Sequence, residues 1–210
     1  PFDLEMEVDS SVLILDAVRD WYRSLEQTPQ DFLDVTEYWS SPEEFVSTFR
    51  SLLGKEVAID SNTPDQVTQL FKTKKQDCLT LIEQNRTLIF AELIDSHKEK
   101  TVRSEEYDCL VEWLTSSSLE PMPKNAASVF NGNRYGRKQA EIKRQLNEVF
   151  EPLKSLKQQA IDLEYAIHKA HAETIAVKAI ITINQTVIDR KKQSALMDFD
   201  ELQLIRRITA

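Results

Sequence analysis

Glycine is nearly missing from this chain. Gly54, Gly132 and Gly136 are the only three in 210 residues, against a usual share of about 7%. This shortage excludes a glycine-rich phosphate-cradling loop, and neither a nucleophile elbow nor an HExxH pair is present. Cysteine is scarce too. Cys78 and Cys109 stand alone, without metal-type spacing. Both fall on apolar helical faces, which favours core packing over nucleophilic work. Two unpaired cysteines fit a reduced, intracellular or cytoplasmic setting. Long hydrophobic runs are absent as well. The longest uncharged stretch near the C-terminus, 179–188, is too short to span a bilayer. The start, Pro1-Phe2-Asp3-Leu4-Glu5, is acidic where a leader would be basic and then apolar. These absences point away from an enzyme. No cofactor is expected.

What the chain does have is a stripe. Ile142, Leu146, Val149, Leu153, Leu156, Ala160, Leu163, Ile167, Ala170, Thr174, Val177, Ile181, Asn184 and Ile188 follow one another in steps of four and three. That spacing repeats every 3.5 residues, the period of a helix lying along another helix. From Pro152 to Asp189 there is no glycine and no second proline. Such a helix would be roughly 55 Å long at about 1.5 Å per residue. Its stripe needs a partner, either within the chain or on another molecule. Pro152 lies in phase with the stripe. Proline in a helix costs about 3 kcal/mol and removes a hydrogen bond, so a kink is expected near Phe150.

The fold class expected is all-α: an elongated helical bundle or coiled coil with two long helices and a small N-terminal helical head. Three helix starts share one signature. Thr28-Pro29, Ser41-Pro42 and Thr63-Pro64 each place a capping hydroxyl before a proline that has no N–H to orphan. Helices are expected at about 10–26, 29–39, 42–53, 64–98, 103–116, 137–192 and 198–208. The 64–98 run carries Val67, Leu70, Phe71, Cys78, Leu81, Ile82, Leu88, Ile89 and Leu93 at helical spacing, which makes it the natural antiparallel mate of the C-terminal helix. Residues 2–9 alternate apolar and acidic side chains, the pattern of a short strand or of an acidic tail. Val57-Ala58-Ile59 reads as a second small strand. The domains expected are an acidic head over 1–60, a long helix plus a short one over 61–116, a flexible Ser/Pro/Asn/Gly linker over 117–136, and the heptad helix with a short terminal helix over 137–210.

Charge is unevenly spread. Residues 1–60 hold 14 acids and 4 bases, while residues 121–210 hold 10 acids and 15 bases. The two ends can neutralise each other, or the basic end can meet an acidic partner.

Three candidate sites follow. Ile175, Ile180, Ile183, Asn184, Val187 and Ile188 form an apolar surface wider than a seam, with one polar residue able to fix register. This is the leading partner-binding surface. Arg134, Arg137, Lys138, Lys143 and Arg144 follow an Asn-Gly turn, and Arg190-Lys191-Lys192 and Arg206-Arg207 add further basic groups. They are candidates for phosphate of nucleic acid or an acidic membrane surface, or else they pair with the acidic half. Glu164, His168 and His171 lie on one helix face, at a spacing that suits a metal in a helical bundle or a plain solvated face. The leading reading is a non-enzymatic interaction or scaffold protein that binds a protein partner, or a second copy of itself, through the heptad helix. A nucleic-acid or membrane regulator and a helical metalloprotein are the alternatives. No small-molecule substrate is implied.

Overall fold

A computed structural model describes the backbone of residues 10–55 and 61–208, and side chains as far as residue 193. The expected strands at 2–9 and 57–59 lie outside the described residues. Every described element is helical, so the all-α expectation holds.

The chain forms two compact units. One comprises residues 1–63 and 168–210, the other residues 64–167.

In the first unit, α1 runs Ser10–Leu25, α2 Pro29–Tyr38 and α3 Pro42–Thr48. Pro29 and Pro42 each open a helix, as the sequence predicts. Ser41 caps α3 by accepting the Glu44 N–H at 3.2 Å. Thr28 makes no such cap; its hydroxyl donates to the Leu25 carbonyl instead. Phe45 sits at the centre, completely buried. The rings of Trp21, Phe49 and Trp39 lie 4.8, 4.6 and 5.8 Å from it. The Tyr22 hydroxyl donates to the Trp39 carbonyl at 2.7 Å, so its burial leaves no polar atom unpaired. These large rings share one cluster with Ala172, Ala176 and Ala179. Small side chains opposite large ones let the helices interdigitate.

The second unit begins with α4, Pro64–Gln84. The helical run expected over 64–98 is not one helix. The Asn85 side-chain amide donates to the Leu81 carbonyl at 2.9 Å. Asparagine commonly competes with the backbone in this way, and here the regular helix stops. A short α5, Arg86–Ile89, passes into a π-helical turn, Phe90–Ile94, closed by the Asp95 N–H to the Phe90 carbonyl at 2.8 Å. Then come α6 (Lys100–Thr115), α7 (Lys124–Ser128) and a 3₁₀ turn, Gly132–Arg134. The 117–136 stretch is not the free linker expected. Met122, Ala126, Val129, Phe130 and Tyr135 are all core residues. Their apolar area binds the stretch to the unit despite its prolines and its Asn-Gly turn.

The last helix, α8, spans Ala140–Ile208 without interruption at Pro152. Among the described residues it is the single long helix, and the expected pair of long helices is not confirmed. In the second unit the stripe behaves as read: Leu146, Val149, Leu153, Leu156, Ala160 and Leu163 are all buried. From His168 onward only Ala170 and Asn184 of the stripe are buried, and other positions join them. Ala172, Ala176, Ile180, Ile183 and Val187 enter the core, whereas Ile181 is 56% exposed. A 3.5-residue stripe drifts on a straight 3.6-residue helix, and each unit takes the face that its own helices cover.

Candidate functional site

The partner-binding set sits inside the first unit. Ile180, Ile183 and Val187 are buried, and Ile175 packs against the same cluster as α1 to α3. Ile188 is half-buried. The apolar surface expected for another molecule is thus covered by the chain's own N-terminal helices. Local spacing could not reveal this, because the covering residues lie about 130 positions away. Asn184 is the polar member, and it is fully engaged. Its Oδ1 accepts the Gly54 N–H at 2.7 Å, and its Nδ2 donates to the Leu52 and Lys55 carbonyls at 3.0 and 2.8 Å. It binds the turn after α3 rather than setting register with a partner helix.

The basic set lies in the second unit and is largely neutralised there. Arg134 forms a two-pronged pair with Glu106 of α6, one bond being 2.9 Å. That guanidinium holds the Glu106 carboxyl below its ordinary range. Lys138 meets Glu92 at 3.0 Å. Arg144 is held by Glu141 and Glu148 on its own helix. Arg137 and Lys143 remain exposed. In the first unit, Arg190 pairs with Asp20 at 2.6 Å, and Lys191 and Lys192 are exposed. The side chains of Arg206 and Arg207 lie outside the described residues. The expected pairing with the acidic N-terminal residues is seen for Arg190, through Asp20, whereas Arg134, Lys138 and Arg144 pair with acids of their own unit.

The histidines of the metal candidate meet a carboxylate the sequence reading missed. Asp34 of α2 is buried, and its Oδ1 lies 3.2 Å from His168 Nε2 and its Oδ2 3.4 Å from His171 Nε2. Gln30 donates to Asp34 at 2.8 Å, and the Tyr38 hydroxyl lies 3.1 Å from His168 Nδ1. Glu164 is not part of this group. Among the described residues, no set of three or more His, Cys, Asp or Glu side chains is placed to hold a metal ion. Asp34 shares its face of α2 with Gln30, Asp31, Glu37 and Tyr38, so nothing local marks it out, and its partner His168 lies 134 residues on.

An apolar groove is open in the second unit. Val67, Leu70 and Phe71 of α4 and Leu163 and Ala166 of α8 line a groove of about 160 Å³, flanked by Lys74, Gln159 and Asp162. Leu70 is 54% exposed, and Ile161, next to Asp162 in sequence, is 56% exposed. Lys74 donates to Gln159 across the groove floor at 2.8 Å. A concave apolar strip with polar edges suits the apolar face of an amphipathic helix. No helix among the described residues is long and apolar enough to cross a membrane. Set against family models, curated proteins and solved structures, the chain shows no match to any of the three.

Proposed function

We propose that this chain is a non-enzymatic helical interaction protein that binds an amphipathic helix of another protein, or of a second copy. The observation that carries this reading is the apolar groove between α4 and α8, with Leu70 exposed along it. Exposed single leucines are ordinary, but a leucine bordering an apolar concavity is a contact surface. The partner helix would lie beside α8 in coiled-coil fashion, and this is the part of the scaffold reading that carries forward. Lys74 and Asp162, of opposite charge on the two helices, would set its direction. The contact surface proposed is the groove, since residues 175–188 pack on the chain's own helices.

The test uses a photocrosslinking residue at position 70 or 162, both lining the groove, in cells, with the same residue at exposed Val12 as the control. The expected result is a discrete adduct from 70 and 162, absent from 12 and, for the probe at 162, lost on Leu70→Asp with folding intact. Light scattering at two concentrations tells a second copy from a different protein. A folded chain giving no discrete adduct from either groove position would sink the reading.

A further inference from the structure

A second concavity in the same unit has the opposite character. It lies between the π-helical turn, the start of α6 and the Asn131–Lys138 segment, with a volume of about 510 Å³. This falls in the range of small-molecule sites. Its walls are polar, and Arg103, Arg134, Lys138 and His97 line it together with one carboxylate, Glu92, which is paired with Lys138.

The bases here are not equivalent. Arg134 and Lys138 have carboxylate partners in Glu106 and Glu92. Arg103 has none in hydrogen-bond contact. One nitrogen donates to the Leu93 carbonyl of the π-helical turn at 3.0 Å, which leaves most of its five N–H donors unused. Burial is the main cause that lowers the Arg103 pKa, and the neighbouring Arg134 charge adds to it. Glu106 and Glu99 act in the other direction without reversing the shift. This guanidinium therefore sits where its charge is poorly compensated.

Neutral donors complete the picture. His97 Nδ1 accepts the Glu99 N–H at 3.2 Å. The neutral ring then carries its proton on Nε2, as a donor. Asn133 also lines the cleft, and its backbone is fixed by the Asn131 side chain, which accepts the Asn133 N–H at 3.1 Å. Charge-assisted and neutral donors from three segments thus converge on one open space. π-Turns are rare and often occur at functional sites.

We infer that this cleft binds a phosphate group, through Arg103 together with His97 and Asn133, while Arg134 and Lys138 stay paired with Glu106 and Glu92. A planar guanidinium with free donors suits a tetrahedral oxyanion. The volume leaves room for more than the oxyanion, so the ligand class is a small phosphomonoester or a phosphate-bearing lipid headgroup. The site is separate from the apolar groove, and neither depends on the other.

The test is thermal unfolding of the full chain at fixed ionic strength, with sodium phosphate exchanged for sodium chloride. In a parallel arm, the chain is mixed with vesicles containing phosphatidylinositol phosphate, or with neutral vesicles. The expected result is a saturable rise in Tm with phosphate, or cosedimentation with the phosphate-bearing vesicles alone. Either response should weaken about tenfold or more in Arg103→Gln, the loss of one charge-assisted contact. Asn133→Ala, at an exposed position, is the second variant should Arg103→Gln fold poorly. It should weaken the response while leaving the ligand-free Tm in place. A phosphate-only response assigns a soluble ligand, and a vesicle-only response assigns the headgroup. No response from either source at up to ~10 mM phosphate, where even millimolar sites fill, overturns the inference. So does a response in both variants equal to that of the unaltered chain.

Discussion

The Asn184 side chain holds the backbone of Gly54 in place: Oδ1 accepts its N–H at 2.7 Å while Nδ2 donates to the carbonyls on either side, at Leu52 and Lys55. Three backbone groups of one turn depend on one buried amide. Asn184→Leu would match the apolar surroundings but orphan all three. Leaving buried polar groups unpaired costs about 1–3 kcal/mol, and a loss in the upper part of that range is expected. Asn184→Asp keeps the acceptor and loses both donors, so it should fall in between. Urea midpoints at constant m value would check the order. A neutral Asn184→Leu would mean that the turn does not depend on this residue.

Gly54 itself is the next test. Its φ is +73°, a conformation that costs residues bearing a Cβ roughly 1–2 kcal/mol. A Cβ built there would lie 2.8 Å from Ile14 Cδ1, a flexible side-chain end. Gly54→Ala should therefore destabilise by about 1–2 kcal/mol from the backbone alone, with some added crowding. Ile14→Val removes the crowding methyl. The double variant should lose less than the two single losses together, because the residues are in contact. Strict additivity would show that Ile14 plays no part.

These two residues also show how far the sequence could be read. Asn184 stood out as a polar residue in an apolar stripe, and Gly54 as a stop after α3. Nothing local connected them across 130 residues. Helix starts at Pro29, Pro42 and Pro64 were readable because proline acts within one turn, with a capping hydroxyl beside it at Ser41. The break at Asn85 was less so, since one side-chain hydrogen bond decides it inside an otherwise helical pattern. The stripe on α8 gave the burial of Leu146 to Leu163 correctly. It gave no sign that α1 to α3 would cover Ile180 and Ile183, because periodicity says that a face is buried but not by what. Of the candidate sites, the apolar groove needed Leu70 and Leu163 side by side, and the polar cleft needed Arg103 beside Arg134. Both are long-range placements.

Pro152 makes a separate prediction. It is an exposed residue within α8, between buried Phe150 and Leu153. Proline removes the N–H that would meet the Glu148 carbonyl and crowds that carbonyl as well. Pro152→Ala should restore the bond and stabilise the chain by about 1–3 kcal/mol, read from the urea midpoint. A loss of stability would mean that the helix geometry imposed by Pro152 is needed to seat Phe150 in the core.

Cys78 links burial to pH. Burial, with a smaller contribution from Asp77, pushes its thiol from the ordinary 9.0 up to about 11. The unfolded thiol therefore ionises first as pH rises. Stability from this group is full below pH 9.0 and is lost as pH climbs toward 11. Tyr22 and Tyr107 are also raised by burial, so the wild-type slope above pH 10 is shared. Cys78→Ala should be less stable at neutral pH, from the lost packing, but flatter between pH 9 and 10. Thiol labelling at pH 8 should modify half-buried Cys109 well before Cys78. Equal labelling rates would contradict the burial of Cys78.

The group around Asp34 separates shape from charge. Its carboxylate is nearly sealed from solvent and meets Gln30, His168 and His171 within 3.4 Å. A buried acceptor with three potential donors is stabilising only while they remain paired. Asp34→Asn keeps the size and one acceptor oxygen but places an amide N–H₂ toward a donor. A cost of about 1 kcal/mol is expected from one lost bond. Asp34→Ala leaves Gln30 and both imidazoles without their common acceptor, and also opens a small void. Its cost should be larger, about 2–3 kcal/mol. The double variant Asp34→Ala/His168→Ala decides whether the two act together. A coupled pair gives a combined loss well below the sum of the single losses. Independent losses would mean that α2 is held by its apolar residues, Val35 above all, and that the Asp34–His168 contact contributes nothing to its docking.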